Sequence, residues 1–454
     1  MIPIVLSIAG SDPDGGAGIQ ADLKTFSALG VYGMTVITSV TAQNTIELKG
    51  IHDVPVSMIR DQIEVLVNDI NINAVKTGML RTREIIEVVA EEIGRQKIPL
   101  VVDPVMTTKN GAALIEEDAK NALTKLLFPL AKIVTPNSFE AEIISGIKIK
   151  TVDDAKNAAK KIAEYGSKAI LIKGGHIFSD KEVMDLLYLD GEFKVFKSER
   201  VNVKTTHGVG CSFSSAIAAE LAKGKSIESA VKNAKVFIKK AIRFGFNIGH
   251  GFGPVNPMAH LYNEAERYRV IENLKKAVTI LEAHKEFSAL IPETQANIAM
   301  ALPFADSIMD VAAIPGRIVK VGKGVKASSY PEFGASSHVA KTILIANKHN
   351  SSIRAGLNIK YSEEIIKACK KLGWIVSFYD RKKEPIKVKR VEGMSISWGT
   401  EQAIKKIGKV PDVVYHKGDW GKEPMITLLG ENAVEVAKMA IKLTKIIDII
   451  PPNY

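Results

Sequence analysis

Cysteine is almost absent: Cys211 and Cys369 are the only two in 454 residues. Two thiols make neither a disulfide framework nor a four-ligand zinc site, and they suit a reducing cytoplasm. Aromatic residues are also scarce, at 6%. No basic run is interleaved with them and no nucleic-acid module is recognisable, so no nucleic-acid partner is expected. No apolar run reaches membrane-spanning length, which leaves no membrane partner either. The apolar start, residues 1–9, has no basic flank and runs straight into Gly10-Ser-Asp-Pro13. It reads as a first core strand rather than a signal peptide. Acidic residues are the minority, 50 against 61 Lys+Arg, for a net charge of +11. With nucleic acid set aside, that balance suits anionic, phosphorylated metabolites.

What is present exceeds one compact core, and the length predicts two or three domains. At 46% hydrophobic and 24% charged, the composition is that of a globular protein. Apolar strands read at 3–9, 35–40, 74–76, 100–102, 132–135 and 169–172, with amphipathic helices around 57–69, 82–96, 116–128 and 153–165 between most of them. Ile19, Leu23 and Phe26 mark the inner face of the helix that follows the Gly10–Gly18 loop. Alternating strands and helices predict an α/β unit with a mainly parallel sheet covered on both faces. Residues 186–189 and 193–196 around Asp190-Gly191 read as a hairpin, hence an antiparallel edge. A helix near 226–245 closes this unit. The expected divisions are a first domain over 1–260, a helical linker over 261–275 and a smaller mixed α/β domain over 276–454. In the latter, helices read at 273–286, 362–372 and 432–447, with a further one running from His338 to about Asn347, and strands at 355–359 and 375–378. Arg381-Lys-Lys383 with Lys387, Lys389 and Arg390 reads as a solvated hairpin edge.

The chemistry of the first half gathers around residues 205–222. A polar turn with Gly208 and Gly210 enters a small-residue helix carrying Phe213, Ile217 and Leu221 on one face. Glycines let a phosphate approach the backbone, and the first helical turn leaves N–H groups free at the positive end of the dipole. Gly208, Val209 and Gly210 therefore form a candidate anion hole, with Cys211 at its mouth. Such a turn can equally be an ordinary loop-to-helix junction. Asp103 closes one strand and Lys173 another, where ligands of open α/β sheets bind. Asn137 and Glu140 share a face at a helix start. Asp103, Asn137 and Glu140 are oxygen donors of the kind that suits ATP-bound Mg²⁺, and the Lys173 ammonium suits a polyphosphate. Each also has a plain structural reading, as a strand-end cap, a helix N-terminal acid or a solvated tip.

Several stretches are similar to the hydroxymethylpyrimidine/phosphomethylpyrimidine kinases: Ser7–Gly30, Thr41-Ala-Gln-Asn44, Lys76-Thr-Gly-Met-Leu80, Val102-Asp-Pro-Val105, Lys173-Gly-Gly-His176 and His207-Gly-Val-Gly-Cys211. The resemblance spans residues 1 to about 260. It implies a ribokinase-like sandwich and two successive MgATP-dependent phosphorylations of 4-amino-5-hydroxymethyl-2-methylpyrimidine. It also implies that Ala17, Asp22, Gln43 and Met79 meet the pyrimidine, the Gln43 amide offering a donor and an acceptor to its edge. Sugar-kinase relatives carry an aspartate base where Cys211 stands, so Cys211 is given mainly an anion-hole role and only secondarily that of a base.

Residues 276–454 offer a second anion site. Gly334-Ala-Ser-Ser337 precedes a helix, His338 lies in its first turn, and Arg317 sits in a Pro-Gly-Arg turn suited to a diphosphate. With 290–297, 313–318 and 421–425, this pattern resembles the archaeal-type thiamine-phosphate synthase domain, and Arg317 and His338 match that family's functional arginine and histidine. The expectation is a bifunctional cytoplasmic enzyme that acts on small molecules, uses ATP and Mg²⁺, and forms a homo-oligomer. Its alternatives are a kinase with a thiamine-phosphate-sensing second domain, or a pyridoxal kinase.

Overall fold

The computed structural model describes residues 2–107, 111, 113–175, 181–389 and 394–447, and the chain divides into two compact units, Met1–Leu261 and Tyr262–Tyr454. His176 and Arg390, singled out in the sequence, lie outside the described residues.

The first unit begins β1 (Ile4–Ser11), α1 (Gly18–Ala28), β2 (Tyr32–Gln43), β3 (Leu48–Asp53), α2 (Val56–Asp69), β4 (Ala74–Thr77), α3 (Arg83–Gly94) and β5 (Leu100–Val102). It continues α4 (Glu117–Ala122), β6 (Ile133–Val134), α5 (Ser138–Ser145), α6 (Val152–Ala163), β7 (Ala169–Ile172), β8 (Glu182–Leu189), β9 (Glu192–Glu199), α7 (Val209–Ala222) and α8 (Ile227–Arg243). Its sheet runs β3-β2-β1-β4-β5-β6-β7-β8-β9. Pairing is parallel from β2 through β7 and antiparallel at both ends. The sequence suggested one antiparallel edge; β3, charged and half-exposed, adds the other. β4, β5 and β7 are buried at every position because helices cover both faces. Ile59 of α2, Ile86 of α3 and Ile162 of α6 fill one face, and Phe26 of α1, Phe213 of α7 and Val231 of α8 fill the other.

Local chemistry explains the junctions. Asp190 (φ 51°) and Gly191 (φ 85°) are both left-handed, the two-residue turn that matches strand twist. Asn137 caps α5 through a reciprocal box with Glu140. On α1, Leu23 is only half-buried, whereas polar Asp22 and Thr25 are buried. That departure from the apolar pattern marks the site.

The second unit contains all but the first residues of α9 (Ala259–Ala283), then β10 (Ile298–Ala301), β11 (Val311–Ala313), β12 (Ile318–Val321), β13 (Gly324–Ala327), β14 (Glu332–Phe333), α10 (His338–His349) and β15 (Ala355–Lys360). It ends α11 (Glu363–Lys371), β16 (Val376–Phe378), α12 (Ile386–Lys389), α13 (Met394–Ile407), β17 (Val413–His416), β18 (Met425–Gly430) and α14 (Ala433–Ile447). Residues 261–275, expected as a linker, belong to the continuous helix α9, and Val270 and Leu274 are buried in the second core. The sheet order is β14-β11-β10-β15-β18-β17-β16, antiparallel except for β16 beside β17. α9, α11 and α14 cover one face, and α10 and α13 the other. The stretch expected as a hairpin edge is instead a 3₁₀ turn, Arg381–Lys383, followed by α12.

Candidate active sites

The loop between β1 and α1 is braced by Asp12. Its Oδ2 accepts from the Ala17 N–H at 2.7 Å and lies 3.0 Å from His207 Nε2. Burial alone would raise this carboxyl, but hydrogen bonds from His207, Ala17 and Gln43 hold it below the usual range. Asp12, Asp14 and His207 bring ligand-type atoms within 4.8 Å of one another; the contacts of Asp12 make this set the internal brace of the loop. The turn before α7 comes up against the same loop. Gly208 is left-handed (φ 77°), and a Cβ there would fall 1.7 Å from Gly16 O. Only glycine permits that approach.

Ala17, Gln43, Met79, Lys76 and Cys211 line a cavity of about 70 Å³, with Val105 and Leu114 as apolar wall. Asp22 is not among its lining residues. Lys76 Nζ donates to Asp22 at 2.8 and 3.0 Å, while Ser7 Oγ and Ser215 Oγ donate to the two oxygens at 2.6 Å each. The expected pyrimidine contact is thus committed to holding a lysine. Burial opposes the charge of Lys76, but Asp22, then Cys211 and Asp103, keep it protonated. Burial pushes the Cys211 thiol up to about 11, with Asp22 and Asp103 adding to it against Lys76 and the Gly18 N–H. A thiol so raised is a poor base at neutral pH.

Asp103 and Lys173 meet at the strand ends. Lys173 Nζ donates to Asp103 Oδ1 at 2.8 Å, Thr135 Oγ donates to the same oxygen at 3.1 Å, and Ser214 Oγ donates to Oδ2 at 3.2 Å. Burial would raise Asp103, yet Lys173 and Lys76 hold it down. Glu140 is pushed up to about 7, first by burial and also by Asp103, against Lys173 and the N–H groups of Asn137 and Met106. A Cβ on Gly210 would sit 3.5 Å from Lys173 Nζ, so this pair adjoins the first turn of α7. Gly210 therefore stands beside Lys173 and Asp103, while Gly208 packs against Gly16.

In the second unit, Arg317 and His338 line one cavity of about 490 Å³ together with Gln295, Tyr379, Arg381, His416 and Lys422. Arg317 (φ 71°) follows Gly316 in a left-handed turn, and its guanidinium donates to Thr294 O. His338 opens α10, where burial, then Arg317, Lys341, Arg381 and Lys422, hold its ring below the usual range. His416 is depressed to about 4 by burial, then Arg381 and His338. Its Nδ1 accepts from the Gly418 N–H at 3.1 Å, which leaves the proton on Nε2.

Sequence reasoning missed Lys76, Arg381, His416 and Lys422. A charged residue ending an otherwise apolar strand was a signal for Lys76. Arg381 was misread as surface because its neighbours are basic. His416 follows an apolar run with no local sign of its partners.

Residues 12–256 match the phosphomethylpyrimidine kinase family and residues 273–442 the thiamine-phosphate synthase ThiN family. A bifunctional thiamine biosynthesis protein of Methanocaldococcus jannaschii is 36% identical over 447 residues, 98% of this chain and 99% of that one. A hydroxymethylpyrimidine/phosphomethylpyrimidine kinase of Haemophilus influenzae is 48% identical over 56% of this chain and 97% of its own length. Among solved structures, the ADP complex of a Bacillus subtilis pyridoxal kinase is 40% identical with a TM-score of 0.54, covering 57% of this chain and 98% of that one. A Staphylococcus aureus pyridoxal kinase bound to AMP-PCP and pyridoxal is 36% identical with a TM-score of 0.53, covering 57% of this chain and 95% of that one. With both domains matched and the bifunctional relative aligned over nearly its whole length, the chain belongs to the family that joins a phosphomethylpyrimidine kinase domain to a thiamine-phosphate synthase domain.

Proposed function

We propose that the first unit transfers the γ-phosphoryl of ATP to hydroxymethylpyrimidine and then to its monophosphate. The second unit joins the resulting diphosphate to thiazole phosphate. The observation that carries the kinase half is the meeting of Lys173, Asp103 and the free N–H groups opening α7, next to the Gln43–Met79 cavity. Phosphoryl transfer passes through a loose transition state and depends mostly on positioning and charge neutralisation. Gly208 to Gly210 and Lys173 serve that role, with Lys76 beneath Cys211 as a further fixed cation. The raised thiol leaves Cys211 as a wall of the anion hole.

Two buried carboxylates, Asp103 and Glu140, share one lysine. Burial chiefly raises Glu140, with Asp103 adding to it, and a divalent cation beside the two carboxylates would favour their charged forms. Their hard oxygen donors fit Mg²⁺. Asp103 and Glu140 would hold it, directly or through its waters, and it would neutralise the phosphates of ATP.

In the second unit, the C–O bond to the diphosphate breaks and pyrophosphate leaves with the electron pair. The thiazole nitrogen lone pair then forms the new C–N bond to the pyrimidinylmethyl carbon. Arg317 and the N-terminus of α10 take the leaving group, and neutral His338 donates to it.

The experiment supplies hydroxymethylpyrimidine, thiazole phosphate and MgATP and measures thiamine phosphate. Accumulation of pyrimidine diphosphate alone would keep the kinase and demote the second unit to a sensor.

A further inference from the structure

Among the described residues, Lys97, Asp190, Gln295 and Arg317 are the non-glycine residues with positive φ. Lys97 and Asp190 are exposed, as turn residues usually are. Gln295 (φ 67°) and Arg317 (φ 71°) line the same 490 Å³ cavity. A left-handed glutamine is strained and persists only where its surroundings over-determine it. The surroundings do so. The Gln295 N–H donates to Pro292 O at 3.0 Å, and its carbonyl accepts from Asn358 Nδ2 at 3.1 Å. Asn358 Oδ1 accepts from the Asn297 N–H at 2.7 Å, and the Asn297 amide pairs with Ile314 N and O at 3.0 and 2.9 Å. Glu423 holds the preceding turn by accepting from the N–H groups of Glu293 and Thr294 at 2.7 and 3.0 Å.

The side chain is tied at one end only. Nε2 donates to Glu293 O at 3.3 Å, and that contact decides which end of the amide is nitrogen. Oε1 is buried and has no hydrogen-bond partner among the described residues. A buried acceptor left unpaired is costly. Gln295 lines the cavity, and a turn of its side chain that brought Oε1 onto a donor of the ligand would relieve that cost.

The two substrates differ in that respect. The pyrimidine carries an exocyclic amino group with two N–H donors. A thiazole phosphate has no N–H, because its ring nitrogen carries the lone pair that forms the new bond. Phosphate oxygens are acceptors and repel an amide oxygen. We infer that Gln295 determines pyrimidine specificity in the synthase site, its Oε1 accepting a hydrogen bond from the 4-amino group. This rests on the synthase reading of the second unit.

The test uses the full chain and the variant Gln295→Gly, which keeps the left-handed backbone and removes the amide. Thiamine phosphate formation is measured with pyrimidine diphosphate and with its analogue bearing hydrogen in place of the 4-amino group. The expected result is a KM for pyrimidine diphosphate raised about tenfold, as one neutral hydrogen bond allows. The KM for thiazole phosphate should stay within about twofold and kcat should be little changed, since a ground-state contact acts on binding. In calorimetric titration wild type should bind pyrimidine diphosphate more tightly than the analogue and Gln295→Gly should bind the two alike, a comparison free of the amino group's own electronic effect on pyrophosphate departure. Kinase turnover in the same chain controls for folding. Equal loss for both substrates, or no discrimination by wild type, would overturn the inference. Calorimetric titration with pyrimidine diphosphate separates it from the synthase reading. An amine-dependent difference between wild type and Gln295→Gly without thiamine phosphate formation would sink the synthase and keep the contact, and turnover without that difference would do the reverse.

Discussion

Lys76 and Asp22 form an ion pair at 2.8 Å in which neither side chain is exposed to solvent. The pair places a permanent positive charge under Cys211 and the opening of α7, and with Ser7 and Ser215 it occupies both carboxylate oxygens of Asp22. A buried pair is expensive to break and less expensive to replace, because loss of one partner strands the other's charge.

Asp22→Asn should therefore lower the stability of the first unit by about 3 kcal/mol. The double variant Asp22→Leu with Lys76→Met should recover much of that loss while kinase turnover stays low. Chemical denaturation and ATP consumption check both halves. Full kinase activity in the double variant would show that the lysine serves packing alone.

Cys211→Ser should retain turnover within about threefold, since the thiol acts as a neutral wall of the anion hole rather than as a base. With the thiol raised to about 11, a thiolate base would make the rate climb steadily into alkaline pH. The pH–rate profile of the serine variant should overlay that of wild type, and a profile that loses its alkaline rise would restore the thiolate base.

His416 is neutral in the fold down to about pH 4 against an ordinary value of 6.5. Between those values the unfolded chain binds the extra proton. The stabilisation is complete above pH 6.5 and falls as pH drops toward 4, with a slope up to about 1.4 kcal/mol per pH unit. His416→Gln should flatten that acid limb in urea midpoints of the second unit measured at pH 7 and pH 5. An unchanged slope would place the titrating group elsewhere.

Arg317→Gly preserves the left-handed turn and removes the guanidinium. Coupling should fall about 100-fold or more in kcat while both phosphorylations continue, because the arginine meets charge that grows as pyrophosphate departs. Product analysis should show pyrimidine diphosphate accumulating. Loss of the phosphorylations as well would point to a folding defect.

Much of the first unit was legible because its signals are local. Apolar runs, the Asp190-Gly191 turn and the Asn137–Glu140 cap are each written within a few residues, and strand-end Asp103 and Lys173 fall where sheet topology puts ligands. The second unit was less legible. Strands of three or four residues, such as β10 and β11, are too short to show a period, and the sheet forms them by pairing.

The amino-acid order alone marked the glycine turn at Gly208 and Gly210 that opens α7 and the polar residues that end strands. Tertiary structure decided what those residues are free to do. Asp22 and Lys76, 54 residues apart, neutralise each other only because α1 and β4 bring them together. His416 loses its charge through burial first, and then through Arg381 and His338. Gln295 is held left-handed in part by Asn358 of β15, distant in the chain. Charge state and strain are set by burial and by neighbours distant in the chain, and those exist only once the core has closed.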